Sequence, residues 1–497
     1  MEAKEERYLL DRLIPVPKDI SFKNGKDYAL RERCRVVIYA ADVADVDTQV
    51  PALFRQYWRV TPALSVSSDR KQSGLSADAY SIRVREKQLV ISAKGLTGLT
   101  NALKTLRQLA EVERGTEKVG GYFLVPCDID DDAAMAFRGV HLCIFPETEL
   151  WDIEKQIRLA AYHKFNHAVI EVWGVFPFVS HPEFCFRDRR LPLHEFRRLI
   201  ALGKELGVTL IPQFNILGHA SAARGAIGKH AVLDSHPELQ PLFEPDGWAW
   251  CLTNPNTRRI LADLIVELHE FFGNPGFFHI GCDEADHLGT CQACRREKLD
   301  ALVLDHLLHF HQLLTSRGAR VLMWHDMLLD KDDERWKGYI VNGQSEQGLH
   351  TLYQKLPRDI VICDWQYHYK EKLAGNEPTW PTVKFFRDEG FATLVCPWLN
   401  QDGICSLGQL AAQEKLLGLL ETTWHINHRT QYDTIYSVAA NAAWNPFGQR
   451  LGAGRHDLLL ATTQHLRQVM QDMGCSGYER CGFNQLQVNA GVIPYPE

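Results

Sequence analysis

The second half of the chain alternates short apolar runs with amphipathic segments. Eight such runs occur after residue 138, and each ends within a few residues of a polar or aromatic side chain (139–144, 168–173, 209–214, 277–281, 320–324, 360–365, 392–398 and 418–424). Short, mostly apolar runs are typical of strands buried on both faces, and residues 277–280 carry no charge before Asp283 follows them. We therefore predict eight buried strands in this part of the chain.

The segments between the runs carry apolar residues at helical spacing, as Ile153, Ile157 and Ala161 show in the first of them. Eight strand–helix units over this length predict a (β/α)8 TIM barrel. An open doubly wound sheet is the alternative. It is disfavoured because the sequence after the first strand, HLCIFP at residues 141–146, contains no glycine-rich phosphate turn.

The first part of the chain has a different pattern. Tyr80, Ile82 and Val84 alternate with polar residues, whereas Leu99 and Leu103 recur at helical spacing. An acidic stretch with a proline, residues 126–132, separates the two patterns. We predict a smaller α+β domain over residues 1–132 and a catalytic barrel with a helical tail over residues 133–497.

Composition excludes several classes of partner. The net charge of −7 over 497 residues, without a run of Lys or Arg, argues against nucleic acid. No run of eighteen apolar residues occurs, and the first residues lack the apolar core of a signal peptide, so we expect no membrane span, and the sequence as given shows no export signal, as it also would if such a signal had been removed. Several of the 13 cysteines, among them Cys143, Cys363 and Cys396, lie in apolar runs, which favours reduced thiols and a cytoplasmic location. The oligomeric state stays open.

Strand ends bring distant residues together in a barrel, because they all open onto one face. The candidates near these ends combine carboxylates, amides and tryptophans: Arg138, Glu171, Trp173, Gln213, Asn215, His219, Asp283, Glu284, Trp324, Trp365, Trp398 and Trp424. The last four tryptophans lie one each near the ends of the last four strands. Each tryptophan alone is more typical of core packing, but four at equivalent places favour a walled pocket. Aromatic faces stack on sugar rings and polar groups bind hydroxyls, so the set predicts a glycosidase.

The adjacent acids Asp283 and Glu284 indicate the mechanism. Neighbours in sequence cannot face each other across a glycosidic bond, and the seventh strand ends CPWLN at residues 396–400, with Asp402 in the following loop. A 2-acetamido group on the substrate can act as the nucleophile instead. Asp283 would then steady the oxazolinium-like intermediate, and Glu284 would serve as general acid and base.

Residues 279–284, HIGCDE, resemble the H-x-G-G-D-E signature of glycoside hydrolase family 20, the β-N-acetylhexosaminidases, with Cys282 in place of the second glycine. Other motifs of that family resemble residues 137–139, 211–220, 323–326, 364–365 and 423–424. The first domain is similar in place to the non-catalytic domain of the family. Cys282, Gln213 and residues 324–328 look more like the hexosaminidase D branch.

The resemblance implies an exo-acting, retaining β-N-acetylhexosaminidase, without a cofactor, that removes terminal β-linked GlcNAc or GalNAc from a carbohydrate. It also implies roles for single residues. Arg138 would bind sugar hydroxyls and His219 would assist Glu284. Trp324, Trp365 and Trp424 would enclose the acetamido sugar.

Several positions depart from the family pattern. Asn215 replaces an aspartate of the third-strand motif, which removes a charge from the His219 side of the expected relay. Trp398 and Asn400 stand at the positions of a Y-x-D motif, and Tyr367 or Tyr369 is a candidate to replace the lost hydroxyl. His425 and Ile426 follow the last tryptophan where a glutamate is expected. We predict that the reaction is kept and that the preference among GlcNAc, GalNAc and substituted hexosamines has changed.

Two other interpretations remain. Cys282, Asp286, His287, Cys291 and Cys294 crowd a short stretch that is able to bind zinc, but a single C-x-x-C without a second pair also fits packed thiols or a disulfide. We expect no metal at the catalytic site. The second interpretation is a degenerate barrel that binds amino sugars without cleaving them.

Overall fold

The computed structural model describes residues 9–448 except 11, 59, 61, 115–118, 147, 187–189, 222–231, 368–377 and 425–430. The described residues belong to two compact units. The first unit takes those among Met1–Ala136, Tyr162–Lys164 and Arg429–Glu497, and the second takes those among Phe137–Ala161 and Phe165–His428. Within the described part, no helix has the length and apolar character required to cross a bilayer.

The first unit is an α+β fold with two sheets. Its strands are β1 (Asp19–Phe22), β2 (Tyr28–Leu30), β3 (Arg35–Ala40), β4 (Ala63–Ser68), β5 (Tyr80–Arg85), β6 (Gln88–Ala93), β7 (Glu111–Arg114), β8 (Val119–Leu124) and β9 (Cys127–Asp131). They form a six-stranded sheet in the order β1-β9-β5-β6-β3-β4 and a three-stranded sheet in the order β2-β8-β7. The unit also contains helices α1 (Val43–Tyr57) and α2 (Leu96–Leu109), and the buried Ile82, Ile91 and Leu103 belong to its core. The predicted α+β fold is confirmed.

The second unit is a closed parallel barrel of eight strands, as the apolar runs predict. They are β10 (Phe137–Ile144), β11 (His167–Val172), β12 (Thr209–Gln213), β13 (Phe277–His279), β14 (Arg320–Trp324), β15 (Val361–Asp364), β16 (Ala392–Val395) and β17 (Gly418–Glu421). Each strand pairs with the next in the chain, and β17 closes the barrel onto β10. All residues of β10, β15 and β17 are buried, which explains why these runs carry little polar alternation.

Helices follow most barrel strands, as expected for this fold. They are α3 (Leu150–Tyr162), α4 (Leu193–Leu206), α5 (Val232–Ser235), α6 (Pro255–Phe271), α7 (Leu299–Ser316), α8 (Pro381–Asp388) and α9 (Gln401–Gln413). A long connection separates β12 from α6, and its described residues include the short helix α5 and one 3-10 turn. This connection and the segment after β13 supply much of the candidate site.

The last described helix, α10 (Gln431–Trp444), belongs to the first unit. The indole of Trp444 donates to Asp131, at 2.9 Å to Oδ1 and 3.0 Å to Oδ2, and Lys164 Nζ lies 3.3 Å from the same carboxylate. The hydrogen bonds of the Trp444 indole attach the helix to β9, and the buried ion pair with Lys164 holds the Asp131 carboxylate that accepts them. The domain boundary at residues 132/133 stays a prediction, and residues 449–497 of the predicted helical tail lie outside the described part.

Candidate active site

The two acids lie in a bend that directly follows β13. Gly281, Cys282 and Glu284 all have positive φ, at 68°, 79° and 46°. Gly281 is required at its position, because a Cβ there would lie 2.5 Å from Asn215 Cγ. Cys282 and Glu284 hold this left-handed conformation as non-glycine residues, which costs free energy and is concentrated at functional sites. The bend directs the two neighbouring side chains into different surroundings.

Asp283 is the buried member of the pair, with its side chain 5% exposed. Asn215 Nδ2 donates to Asp283 Oδ1 at 2.5 Å. The side-chain oxygen of Asn215, Oδ1, in turn accepts hydrogen bonds from the backbone N–H groups of Leu217 and Cys282, both at 3.1 Å. The side-chain amide of Asn215 is therefore fixed as a donor toward Asp283. A neutral hydrogen-bond donor thus stands where the family motif has an aspartate.

Glu284 is the solvent-facing member, with its side chain 39% exposed. His219 lies between the two acids, with Nε2 3.3 Å from Asp283 Oδ2 and 3.4 Å from Glu284 Oε2. Trp248, from the long connection after β12, packs on the imidazole at a centroid distance of 4.3 Å. Its indole N–H also donates to the carbonyl oxygen of Glu284 at 2.6 Å. The predicted trio Asp283, Glu284 and His219 is thus brought together, and Trp248 is a residue that the sequence pattern missed.

A third acid, Asp326, supports the bend from beneath and was not predicted as a site residue. It is fully buried and follows β14 by two residues. Its Oδ2 accepts the backbone N–H of Glu284 and the Asn342 amide, both at 2.9 Å, and its Oδ1 accepts the Trp365 indole at 3.0 Å. Burial, and next the charge of Asp283, raise the pKa of Asp326 to about 7. Asp326 therefore holds the backbone of Glu284 and the side chains of Asn342 and Trp365 in place.

Four aromatic residues lie together at the ends of the last three strands: Trp365, Tyr367, Trp398 and Trp424. Ring centroids are 5.9 Å apart for Trp365 and Trp424, and 5.3 Å apart for Tyr367 and Trp398. The Trp424 indole donates to the Tyr367 hydroxyl. Trp324 is fully buried and packs beneath this group, 5.3 Å from Trp424. The four predicted tryptophans are therefore gathered on one side of the barrel mouth, and Tyr367 joins them, whereas Tyr369 lies outside the described residues.

Beneath the acids, the barrel interior holds a second polar group. Gln213 Nε2 donates to Glu171 Oε1 at 2.6 Å, and the indole of Trp173 donates to Glu171 Oε2 at 3.2 Å. His141 Nε2 is 3.6 Å from the same oxygen, and Cys143 Sγ is 3.5 Å from it. Gln213 is thus close to the site but directed at Glu171, which is itself buried.

Arg138 and Asn400 are two further residues for which the sequence predicts sugar binding. Arg138 is buried at the second position of β10, at the amino end of the strand, where its backbone N–H donates to Asn166 at 2.9 Å. Asn400 caps α9, because its side-chain oxygen accepts the Gly403 N–H at 2.7 Å. The sugar-binding roles of both residues stay predictions.

Among the described residues, two groups of side chains have spacings that could hold a metal ion. One is His141, Cys143 and Glu171 in the barrel interior, and the other is Glu244, Cys251, Cys291 and Cys294 beyond the bend. Within each group the candidate ligand atoms lie within 4.8 Å of one another. The second group contains the C-x-x-C pair, but its other members differ from the Cys282, Asp286 and His287 suggested by sequence proximity.

Comparison with known proteins agrees with this geometry. The model of the catalytic domain of glycosyl hydrolase family 20 matches residues 192–443, and the model of domain 2 of that family matches residues 11–124. A β-hexosaminidase from Vibrio furnissii is 25% identical over 416 residues, which cover 75% of this chain and 66% of that protein. Bovine hexosaminidase D is 24% identical over 245 residues, which cover 46% of this chain and 61% of that protein.

Among solved structures, an exo-β-N-acetylglucosaminidase from Vibrio harveyi in complex with N-acetylglucosamine is similar in fold, with a TM-score of 0.66 at 17% identity. The match covers 94% of this chain and 78% of that one. The chain spans less than two thirds of the length of the curated relatives described above. Hexosaminidase D is no more similar than the bacterial enzyme, so the branch stays a prediction. The two family models together span most of the chain, which therefore belongs to glycosyl hydrolase family 20 and carries the catalytic domain of that family.

Proposed function

We propose that this protein is an exo-acting, retaining β-N-acetylhexosaminidase that uses the acetamido group of its substrate as the nucleophile. The observation that carries the proposal is the arrangement of Asp283 and Glu284 around His219. Two neighbouring carboxylates, one 5% and the other 39% exposed, share contacts with one imidazole. Different surroundings for two adjacent acids are the usual basis for giving them different roles.

In the first step the acetamido oxygen attacks the anomeric carbon as the glycosidic bond breaks. Glu284 gives its proton to the leaving oxygen, which departs as an alcohol. The new bond closes a five-membered oxazolinium ring with positive charge on its nitrogen side. Asp283, buried and fixed by Asn215, places its negative charge where that positive charge develops.

In the second step water attacks the anomeric carbon and gives a proton to Glu284. The carbon–oxygen bond of the ring breaks, the acetamido group is restored, and the free sugar retains its configuration. His219 contacts both acids and keeps them in position through the two steps. Trp248 limits the motion of Glu284 by its bond to the backbone carbonyl.

Asp326 is a poor candidate for a protein nucleophile. It is fully buried, and its two oxygens are already directed at Glu284 N–H, Asn342 and Trp365. A carboxylate that attacks the anomeric carbon needs an oxygen that faces the sugar, about 5 to 5.5 Å from the acid. The substrate's own oxygen meets that need without a further residue.

The aromatic group supplies the sugar site in this proposal. Trp365, Trp398 and Trp424 present ring faces that stack on the C–H face of a hexosamine. The Tyr367 hydroxyl accepts from Trp424 and can donate its own proton to the acetamido oxygen, the role that the family gives to the residue at position 398. Because Trp398 and Asn400 replace the family pattern, the preference between GlcNAc and GalNAc is proposed to differ from that of typical members.

The deciding experiment compares nitrophenyl β-glycosides that differ only at C2. We expect release of nitrophenol from the 2-acetamido sugars and at least a thousandfold lower kcat/KM for sugars with a 2-hydroxyl, because those lack the nucleophile. Equal rates on both would refute the use of the substrate's oxygen. Absence of release from all of them would leave sugar binding as the activity.

Glu284→Gln tests the acid. Loss of a general acid costs about 10² to 10⁴ in rate, and the loss should be smaller for nitrophenyl leaving groups than for a disaccharide, since nitrophenolate departs without protonation. Glu205→Gln, on the exposed face of α4, is the matched control and should leave both rates unchanged. Equal losses on the two substrates would contradict the assignment of Glu284 as acid.

A further inference from the structure

A cluster of three thiols and one carboxylate lies in the second unit, outside the proposed catalytic groups. Cys291 and Cys294 come from the segment that follows the acid pair, and Glu244 and Cys251 come from the long connection after β12. Glu244, Cys251 and Cys294 are buried, and Cys291 is partly exposed. We propose that these four residues form a zinc site with a structural role.

The sulfur positions fit a tetrahedral zinc ion. Cys251 Sγ is 3.7 Å from Cys291 Sγ and 3.8 Å from Cys294 Sγ. Zinc–sulfur bonds of about 2.3 Å in tetrahedral geometry require a separation between the sulfurs of about 3.8 Å. A disulfide requires about 2.05 Å and joins only two of the three sulfurs. The sulfur separations therefore match three thiolates that bind one metal ion, and none of the three cysteines is in a disulfide.

Nearby donors suit thiolates in this cluster. The backbone N–H of Cys294 donates to Cys291 Sγ at 3.3 Å, a contact within the C-x-x-C turn itself. The Thr253 hydroxyl lies 3.4 Å from Cys251 Sγ and 3.3 Å from Cys294 Sγ. Outer hydrogen bonds of this kind orient ligand atoms and balance their charge in metal sites.

Glu244 is the fourth ligand and adds an electrostatic argument. Its side chain is fully buried and accepts the backbone N–H groups of Gly289 and Cys291 and the Thr290 hydroxyl, all of them neutral donors. Among the described residues no cation lies within salt-bridge distance of this carboxylate, whereas buried charges are normally paired or bound to a metal. A divalent cation at the centre of the cluster would supply the missing positive charge.

The position of the cluster explains what the metal would do. Cys251 follows Trp250 directly and lies three residues after Trp248, whose indole holds the Glu284 carbonyl. Cys291 lies seven residues after Glu284. An ion shared between Cys251 and Cys291 ties the segment that carries the acid to the segment that carries its aromatic support. The site is structural, because its four protein ligands leave zinc no open position.

Metal analysis tests the site independently of any hydrolysis. Protein purified in reducing buffer without added zinc or a nickel column is expected to contain about one zinc per chain, by mass spectrometry. The double variant Cys291→Ser/Cys294→Ser should lose nearly all of it. Cys185→Ser, a partly exposed cysteine whose thiol contacts only a backbone carbonyl in the described structure, is the matched control and should keep it.

Cobalt substitution of the unmodified protein covers the case in which the double variant fails to fold. We expect thiolate-to-cobalt charge-transfer absorption and the visible bands of tetrahedral cobalt. Glu244→Gln should weaken zinc binding at least tenfold in competition with a chelator and should keep the charge-transfer bands. Metal-free protein that takes up neither ion under reducing conditions would overturn the proposal, and so would full zinc content in the double variant. Unchanged affinity in Glu244→Gln would remove the carboxylate from the ligand set.

Discussion

Replacing Asn215 by aspartate would restore the residue that the family motif carries, yet we expect it to harm this protein at neutral pH. Asn215 donates to Asp283 at 2.5 Å and is fixed in that orientation by two backbone N–H groups on its carbonyl oxygen. An ionised aspartate has no proton to donate. Asn215→Asp therefore exchanges a hydrogen bond for two adjacent buried negative charges.

The magnitude follows from the separation. Two carboxylates about 4 Å apart at an effective dielectric constant of about 20 repel by about 4 kcal/mol. That corresponds to about 3 pKa units, which would raise one of the two pKa values from about 4 to about 7. Below that pH the protonated aspartate still donates to its neighbour as the amide does. Above it both groups are charged and Asp283 loses its support.

The assay is kcat/KM on a nitrophenyl 2-acetamido glycoside between about pH 5 and pH 9, for the original protein and the variant. The ratio of variant to original should be close to one at the acid end and fall about tenfold per pH unit above about pH 7. Asn256→Asp, the same change at an exposed position in the first turn of α6, should leave the ratio flat. A flat ratio for Asn215→Asp would refute the role given to the Asn215 amide.

Three further changes test the surroundings of the acids. Because the pKa of Asp326 is raised to about 7, its contribution to the unfolding free energy should fall as pH rises from about 4 to 7. Asp326→Asn should remove that contribution, so urea titrations of the original protein should show a more negative slope over this range than those of the variant; equal slopes would contradict the burial of its charge. Gly281→Ala places a Cβ 2.5 Å from Asn215 at a φ of 68°, so it should lower the unfolding free energy by about 2 kcal/mol and remove most of the activity. Gly273→Ala is the control, at a φ of 80° with open space around it, and should lower only the melting temperature. Tyr367→Phe should lower kcat/KM about tenfold or more if the hydroxyl binds the acetamido oxygen, and unchanged kinetics would exclude that contact.

The barrel could be predicted from sequence because its strands are buried on both faces. Residues 360–363 and 418–420, for example, show no alternation of apolar and polar side chains, as a covered parallel strand requires, and both runs give strands in the structure. Asp283, Glu284 and His219 could also be predicted, since all three lie within a few residues of a strand end. At such positions the fold brings the side chains together.

Residues in long connections could not be found in the same way. Trp248, Glu244 and Cys251 lie between β12 and α6. The sequence there shows neither the alternation typical of strands nor the 3.6-residue repeat typical of helices. Cys251 is 40 residues from Cys291, and no local spacing relates them. Asp326 is a partial exception, because its place two residues after β14 is a signal that the sequence carries.

The bend after β13 also opposes a shift of that strand along its neighbours in the barrel. A shift of the strand by one residue would move Ile280, a β-branched residue, into a left-handed position that Gly281 now holds at 68°. A slipped strand is therefore excluded by the local geometry of the chain, before any side chain touches a ligand. Substitutions along β13 should consequently alter packing without moving the acids, whereas a single inserted or deleted residue at the bend would displace both.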